Sequence, residues 1–425
     1  MSDILEELEW RGLIAQATDR DAIGAALAAG PVTYYCGFDP TAPSLHHGHL
    51  VQLILLRHLQ RAGHRPIALV GGATGLIGDP RMSGERTLND RDVVSQWTER
   101  LRRQIEPFLD FEGENAAQMV NNLDWTSGLS AIDFLREVGK HYRLGTMLAK
   151  DTVARRLASD EGISFTEFSY QILQGMDFRE LHRRYGCTLQ TGGNDQWGNL
   201  LSGVELIRKA DGTGVQAMTT PLITKADGTK FGKSEGGAVW LAPDMMSPYA
   251  FYQFWLNTDD GDVERFLKIF TFRSREEIAE LVTAVAERPK AREGQRVLAQ
   301  DVTTLVHGAE ATERVERASQ ALFGRGELQD LDAETLGHAV AELPRGEAVV
   351  GESNLVDLLV ATGLANGRSA ARRTIAEGGA YLNNVKLTDE DHVLAPEDLL
   401  AGRWVLLRRG RRNLAVAEVA EVAGA

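Results

Sequence analysis

With 425 residues, 43% hydrophobic and 25% charged, the chain has the composition of a globular protein with room for two or three cores, which excludes a disordered or fibrous one. Its two cysteines, Cys36 and Cys187, are too few for a disulfide framework and fit a reducing compartment. The net charge of −14 argues against a general nucleic-acid binder over the whole surface. No apolar run approaches bilayer length, and the acidic start MSDILEELEW lacks the basic and apolar plan of a secretory signal. A cytoplasmic protein without a membrane partner is expected.

In chain order, VTYYCGF is a short β-rich run and PIALVGG, from Pro66 to Gly72, is a second one, apolar throughout as a buried parallel strand should be. Between them GHLVQLILLRHLQRAG carries Leu50, Leu53, Ile54, Leu56 and Leu59 at helical spacing and stops at Gly63. Strand, helix, strand is a βαβ unit, which predicts an open parallel sheet with its ligands beyond the carboxyl ends of the strands. The segment GCTLQTGGNDQWGNLLSGVELIRKA repeats the strand, glycine turn and helix pattern and brings another strand end to the same crevice. From about Pro243 to Leu322 the pattern is helical and charged. After a mixed segment, NLVDLLVATGLANGRSAARRTIAEGGAYLNNVKL reads helix, turn, helix, then a strand entering an Asn-Asn turn, and RWVLLRRGRRNLAVAEV reads as a hairpin.

Charge is unevenly spread. From Ser353 onward nine Arg and Lys face nine Asp and Glu, so the remaining 37 against 51 carry the whole −14. Within this neutral tail Arg368, Arg372 and Arg373 fall on a predicted helix, and Arg408, Arg409, Arg411 and Arg412 surround one glycine. Either cluster is a solvated surface or a nucleic-acid contact.

Two stretches carry the chemistry. In DPTAPSLHHGHL, His46, His47 and His49 stand ahead of the apolar helix. Three readings are open: a metal site, which lacks a nearby Cys and has His46 and His47 pointing apart on a helix; plain capping or packing; or a nucleotide-handling pair, His46 and His49, extending the anion-binding field of a helix N-terminus. In KADGTKFGKSEGG, Lys225, Lys230 and Lys233 lie in a glycine-punctuated loop like a phosphate cradle. It is not a Walker A motif, because Asp227 stands where the first glycine is required.

Taken together, HHGH and KFGKS resemble the two signatures of class I aminoacyl-tRNA synthetases. YCGFDPT, GGATGLIGDP, FTEFSYQILQGMDF, GGNDQWGN and TKADGTKFGKS narrow the resemblance to the bacterial tyrosyl-tRNA synthetases, in the order and spacing of that family. The resemblance covers nearly the whole chain. It implies an α/β fold: a Rossmann-like parallel-sheet catalytic domain over 1–222 with an inserted dimer-forming segment, a mobile KFGKS loop over 223–242, an α-helical domain over 243–323, a linker over 324–352, and a small α+β S4-like RNA-binding domain over 353–425. Tyrosine and ATP, the latter with Mg2+, would give tyrosyl-adenylate and pyrophosphate, and tRNA(Tyr) would take the tyrosyl group. The family implies a homodimer and no dedicated protein metal site. Rivals are a tryptophanyl-tRNA synthetase and a non-catalytic RNA-binding relative on the same scaffold.

Residue by residue, the resemblance implies Thr41, His46, His49, Lys230, Lys233 and Ser234 as the groups that stabilise phosphate charge. Tyr35 and Asp177 would read the phenol, Tyr170, Gln174 and Asp79 the ammonium, and Gln196 would lie near the carboxylate. Cys36, Gly37, Asp39, Gly48, Gly193 and Asp195 would meet the adenylate. Arg368, Arg372, Arg408, Arg409, Arg411 and Arg412 would contact tRNA. Two departures from the family pattern stand out: His47 occupies a position that is usually aliphatic, and RMSGERTL is one residue shorter than the usual lysine-bearing loop, leaving Arg81 or Arg86 to take over its phosphate contact.

Overall fold

The computed structural model describes residues 3–81, 84, 87–224, 238–323, 327–341, 343–410 and 413–419. Its packing divides the chain into two units, Met1–Met246 with Thr258–Leu298, and Ser247–Asn257 with Ala299–Ala425.

The first unit is built on a six-stranded sheet. Its strands are β1 (Gln16–Ala17), β2 (Thr33–Phe38), β3 (Arg65–Val70), β4 (Gln118–Asn121), β5 (Leu189–Gly193) and β6 (Gln216–Thr220), in the order β1-β6-β5-β2-β3-β4. All pair in parallel except the edge pair β1–β6. Tyr34, Tyr35, Cys36 and Phe38 are all buried, so side chains on both faces of β2 are covered. Strand β2 has its sequence neighbour β3 on one side and β5 on the other. The winding reverses between them, and a crevice opens at their carboxyl ends.

Four helices shape that crevice: α1 (His47–Arg61), α2 (Asp151–Leu157), α3 (Phe165–Tyr185) and α4 (Trp197–Asp211). The buried face of α1 holds Leu50, Leu53, Ile54 and Leu59. Helix α3 starts at Ser164, whose hydroxyl accepts from the Glu167 N–H, and stops at Gly186 in the left-handed region at φ 63°.

The predicted helical stretch 243–323 is shared between the units. Arg11, only 4% exposed, donates to the carbonyls of Lys268, Thr271 and Arg273, and so ties the end of helix Asp260–Phe270 to the N-terminal part of the first unit. Helices Pro248–Leu256 and Ala309–Leu322 lie in the second unit, where Gln253 Nε2 donates to Ser319 Oγ.

The second unit carries a five-stranded sheet, β7 (Arg345–Ala348), β8 (Ala380–Leu382), β9 (Val385–Lys386), β10 (Trp404–Arg409) and β11 (Asn413–Val419), in the order β7-β11-β10-β8-β9. Leu355, Leu358, Leu359, Ile375, Val405 and Leu407 form part of its core. The Asn-Asn turn and the terminal hairpin form as the sequence predicts: Asn383 and Asn384 adopt φ 47° and 68°, and Arg408 pairs with Leu414. Strand β7 lies inside the stretch read as a linker. Its sequence RGEA has no apolar alternation, and it becomes a strand by parallel pairing with β11, Arg345 opposite Val416.

Candidate active site

The crevice is a cleft of about 560 Å³ at the carboxyl ends of β2, β3, β5 and β6. One wall begins where β2 gives way to Asp39 and Thr41, and continues through His46, Gly48 and His49 at the start of α1. His46 is the N-cap, not a helical residue, and its ring lies 5.4 Å from that of His47 and 4.0 Å from that of His49; the expectation that His46 and His47 diverge along a helix is corrected. The Gly48 N–H donates to Nδ1 of His46 at 3.0 Å and the His46 N–H donates to Nδ1 of His49 at 3.1 Å. An Nδ1 that accepts carries no proton, so in the neutral ring the N–H sits on Nε2. Burial holds the pKa of His46 below the ordinary range and that of His49 far below it. Both rings are therefore uncharged at neutral pH and, with Nδ1 taken by main chain, offer Nε2 as a donor. Of the readings open for the histidine run, the capping one is met by these two hydrogen bonds.

The chain that follows the lysine loop is stitched to this corner. His47 N–H donates to the Val239 carbonyl and Leu241 N–H to the Leu45 carbonyl, both at 2.9 Å, and Trp240 bridges His46. His47 is half-buried there, its pKa pushed down to about 4 by burial and then by His46. Lys225, Lys230, Lys233 and Ser234, with Arg86, Arg411 and Arg412, lie outside the described residues.

At the floor, Asp177 is 3% exposed and accepts from Asn122 Nδ2 at 2.9 Å and Trp125 Nε1 at 2.8 Å. Burial raises its pKa to about 7, although both hydrogen bonds oppose the shift. Tyr35 stands beside it on β2, its ring 5.3 Å from Phe178, and its buried hydroxyl has no hydrogen-bond partner among the described residues. Burial and then the charge of Asp177 push that phenol far above its ordinary pKa, so Tyr35 stays a neutral donor. A hydrogen-bond relay runs from this pair across the floor. Asn122 Nδ2 donates to Thr74 Oγ1, Thr74 Oγ1 to Asp39 Oδ1 at 2.6 Å, and Tyr170 Oη to Asp39 Oδ2 at 2.7 Å. Asp39 thus serves Tyr170 directly, joining the groups expected at the ammonium and at the adenylate. The sheet allows this only because residue 71 is glycine: a Cβ there would lie 2.0 Å from Asp39 Oδ1.

The remaining expected residues line the same cleft. Asp79 accepts from Gln196 Nε2 at 2.9 Å and Asn199 Nδ2 at 3.1 Å, and Gln174, Gly193 and Asp195 complete that side. Cys36 and Gly37 line the wall above β2, the Cys36 thiol pushed up to about 12 by burial and hence unreactive as a nucleophile. Asp39, Asp79, Asp177 and Asp195 make the cleft acidic, a setting that attracts an ammonium group.

Asn122, Trp125, Thr74 and Gln52 were not singled out in the sequence. Gln52 donates to Thr220 Oγ1 at 2.6 Å, and its Oε1 faces the Cys36 thiol at 3.9 Å. The signal available for Asn122 and Trp125 was their place just beyond β4, at a parallel strand's carboxyl end. By contrast, Arg368, Arg372, Arg408 and Arg409 lie in the second unit, outside the cleft.

The family model "tRNA synthetases class I (W and Y)" matches residues 27–324. A tyrosine--tRNA ligase of Streptomyces avermitilis is 64% identical over 420 residues, 99% of each chain, and one of Mycobacterium bovis is 58% identical over 418 residues, 98% of each. The chain belongs to the tyrosyl-tRNA synthetase family. It is a class I aminoacyl-tRNA synthetase, and the model for the "Tyrosine--tRNA ligase SYY-like C-terminal domain" matches residues 336–417, which overlap residues 353–417 of the segment that resembles an S4-type module. Among solved structures, a C-terminally truncated mitochondrial tyrosyl-tRNA synthetase of Aspergillus nidulans is similar at 30% identity and TM-score 0.70, covering 76% of this chain and 95% of that one. A tryptophanyl-tRNA synthetase of Encephalitozoon cuniculi, 14% identical with TM-score 0.52, covers 73% of this chain and 87% of that one and shares the fold alone.

Proposed function

We propose that the cleft joins tyrosine to ATP and then passes the tyrosyl group to the 3′ end of tRNA(Tyr), a tyrosine--tRNA ligase reaction. In the first step a tyrosine carboxylate oxygen bonds to the α-phosphorus of ATP and the bond to pyrophosphate breaks. An α-carboxyl of pKa about 3.5 is already ionised at neutral pH, so no general base is needed. What remains is to align the reactants and to meet charge growing on the α-phosphate and the leaving pyrophosphate. Thr41 and the Nε2 donors of His46 and His49 act from the helix start, with Lys230, Lys233 and Ser234 acting from the loop. In the second step a ribose hydroxyl of tRNA attacks the carbonyl and AMP leaves. ATP enters as its Mg2+ complex, the ion belonging to the substrate.

The phenol is read by Asp177 and Tyr35, the ammonium by Tyr170, Gln174 and Asp79, and the carboxylate lies near Gln196. Cys36, Gly37, Asp39, Gly48, Gly193 and Asp195 surround the adenylate. The observation that carries this reading is the convergence in one cleft of a buried carboxylate beside a neutral phenol with a capped histidine pair at a helix start. A donor and an acceptor buried side by side fit a phenol hydroxyl and leave a polar atom unpaired when phenylalanine enters.

The division of labour proposed is a catalytic part through residue 222, the loop 223–242, helices over 243–323 and an RNA-binding tail that includes β7. Arg368, Arg372, Arg408, Arg409, Arg411 and Arg412 are the proposed tRNA contacts. A homodimer is supported by the exposed apolar side chains Ile132, Leu135 and Leu144, between β4 and α3, and Phe165, the first residue of α3, which are 55–75% exposed. Work in the cytoplasm fits a chain in which no helix among the described residues is long and apolar enough to cross a membrane.

Tyrosine-dependent exchange of labelled pyrophosphate into ATP tests the activation step. Exchange with tyrosine but not with phenylalanine or tryptophan is the expected result; exchange driven by tryptophan, or none at all, would refute it.

A further inference from the structure

Arg156, on α2, is among the largest fully buried side chains at 1% exposure, and all three of its guanidinium nitrogens donate hydrogen bonds. Nε donates to the Gly162 carbonyl at 2.9 Å, Nη1 to the carbonyls of Gly84 at 2.8 Å and Arg81 at 3.2 Å, and Nη2 to Glu167 Oε2 at 2.8 Å. Glu167 is itself 1% exposed and sits in the first turn of α3, three residues before Tyr170. Removing two charges from water costs about as much as their attraction returns, so stability alone does not account for this pair. Its geometry does something else. One planar fork gathers the main chain of the loop after β3, the turn between α2 and α3, and the helix that carries Tyr170, Gln174 and Asp177.

The anchored loop matters because of what Arg81 faces. The cleft is lined by Asp39, Asp79, Asp177 and Asp195, and ATP carries several further negative charges into it. The two cleft histidines are held neutral by burial. Among the described residues lining the cleft, Arg81 is the one permanent cation. Arg81 and Gly84 are in neither helix nor strand, and Gly84 turns back at φ 75°, in the left-handed region. Main-chain anchors at Arg81 and Gly84 therefore decide where that cation stands.

We propose that Arg156 and Glu167 are positioning residues for the ATP half-reaction, holding the loop so that Arg81 meets the triphosphate in the cleft. The proposal rests on the activation of tyrosine by ATP argued above. It assigns to Arg81 the phosphate contact that the shortened RMSGERTL loop leaves open.

The test uses the full-length protein and follows tyrosine-dependent pyrophosphate exchange, single-turnover adenylate formation and tyrosine binding by equilibrium dialysis. Arg81→Ala, at an exposed position that leaves the fold intact, should slow adenylate formation about 10- to 100-fold, the loss expected when a charged contact to the reacting phosphate is withdrawn or misplaced. Tyrosine affinity should be unchanged. Arg156→Lys and Glu167→Gln should raise the KM for ATP and slow adenylate formation while sparing tyrosine affinity, and in the Arg81→Ala background they should add little further loss, because they act through Arg81. Equal losses from Arg156→Lys in both backgrounds, or tyrosine affinity falling in step with ATP use, would overturn the proposal. If Arg156→Lys does not fold, Arg81→Ala decides: wild-type exchange beside an Arg81→Ala variant of equal activity overturns this proposal alone. A wild-type protein without exchange overturns the activation reading and this proposal with it.

Discussion

The main-chain N–H of His46 donates to Nδ1 of His49 at 3.1 Å, so the last histidine of HHGH holds the first one in place while its own ring is fixed. Each ring then keeps its Nε2 side for the cleft. His49→Ala should therefore lower the rate of adenylate formation by about 100-fold, as when one preorganised donor to a developing charge is removed, with little change in tyrosine binding. His47→Leu keeps the main-chain bond to Val239 and should stay near wild type in the same single-turnover assay. Equal defects in the two variants would contradict the assignment.

Asp177 supplies a pH signature. Its carboxyl, raised from 3.8 to about 7 by burial, is largely protonated in the free protein at pH 6 and ionised at pH 8. A folded pKa above the unfolded one contributes stability below about pH 4 that is lost as pH rises through 7. A bound phenol donating to the carboxylate recovers part of that loss, so tyrosine should bind more tightly as pH rises from 6 to 8. Binding measured by equilibrium dialysis should inflect near pH 7, and Asp177→Asn should abolish the inflection and weaken binding.

Buried histidines work in the opposite direction. Burial, with Arg11 and Arg61 adding to it, pushes His58 down to about 3. A depressed pKa means that stability is fully present above 6.5 and is lost as pH falls toward the folded value. Each such histidine adds up to about 1.4 kcal/mol of lost stability per pH unit over that window. Denaturant unfolding at pH 7, 6 and 5 should show the decline, and His58→Leu should make it shallower.

The tail arginines are not equivalent. Arg368 pairs with Asp357 at 2.6 Å and Arg372 with Glu390 at 3.4 Å, whereas Arg408 stacks 4.0 Å from the Tyr381 ring centre and Arg409 is exposed. Already-paired cations release fewer counterions on binding RNA. Arg409→Ala and Arg408→Ala should weaken tRNA binding more than Arg368→Ala, each flattening the salt dependence by about one unit for every phosphate no longer neutralised. Pyrophosphate exchange should be unaffected in all three. Truncation after Ala341, which removes β7 together with its partner β11, should preserve exchange and abolish most tRNA charging; truncation at Glu352 leaves β7 unpaired and should aggregate more readily.

Phe165 is 75% exposed one residue after the cap of α3. Phe165→Asp, combined with Leu144→Asp, should shift the protein from dimer to monomer in sedimentation velocity. A wild-type protein that sediments as a monomer at micromolar concentration would refute the proposed assembly.

Features legible in the sequence are local ones: the βαβ unit around α1, the glycine stop at Gly63, the Asn383-Asn384 turn and the order of the signature segments. Each depends on residues a few positions apart, where period, capping and turn chemistry act directly on the backbone. Folding was needed to reveal that Asp177 accepts from Asn122 and Trp125, more than fifty positions earlier, and that Arg156 holds the carbonyls of Arg81 and Gly84, more than seventy earlier. Folding likewise turns RGEA into a strand against β11. A buried polar group must find partners wherever the chain's packing brings them, and its own neighbours in sequence do not name them. The same holds for the histidine run, whose residue types left metal binding, capping and a donor pair open, while the two backbone amides that fix which nitrogen carries the proton emerged only once α1 was capped.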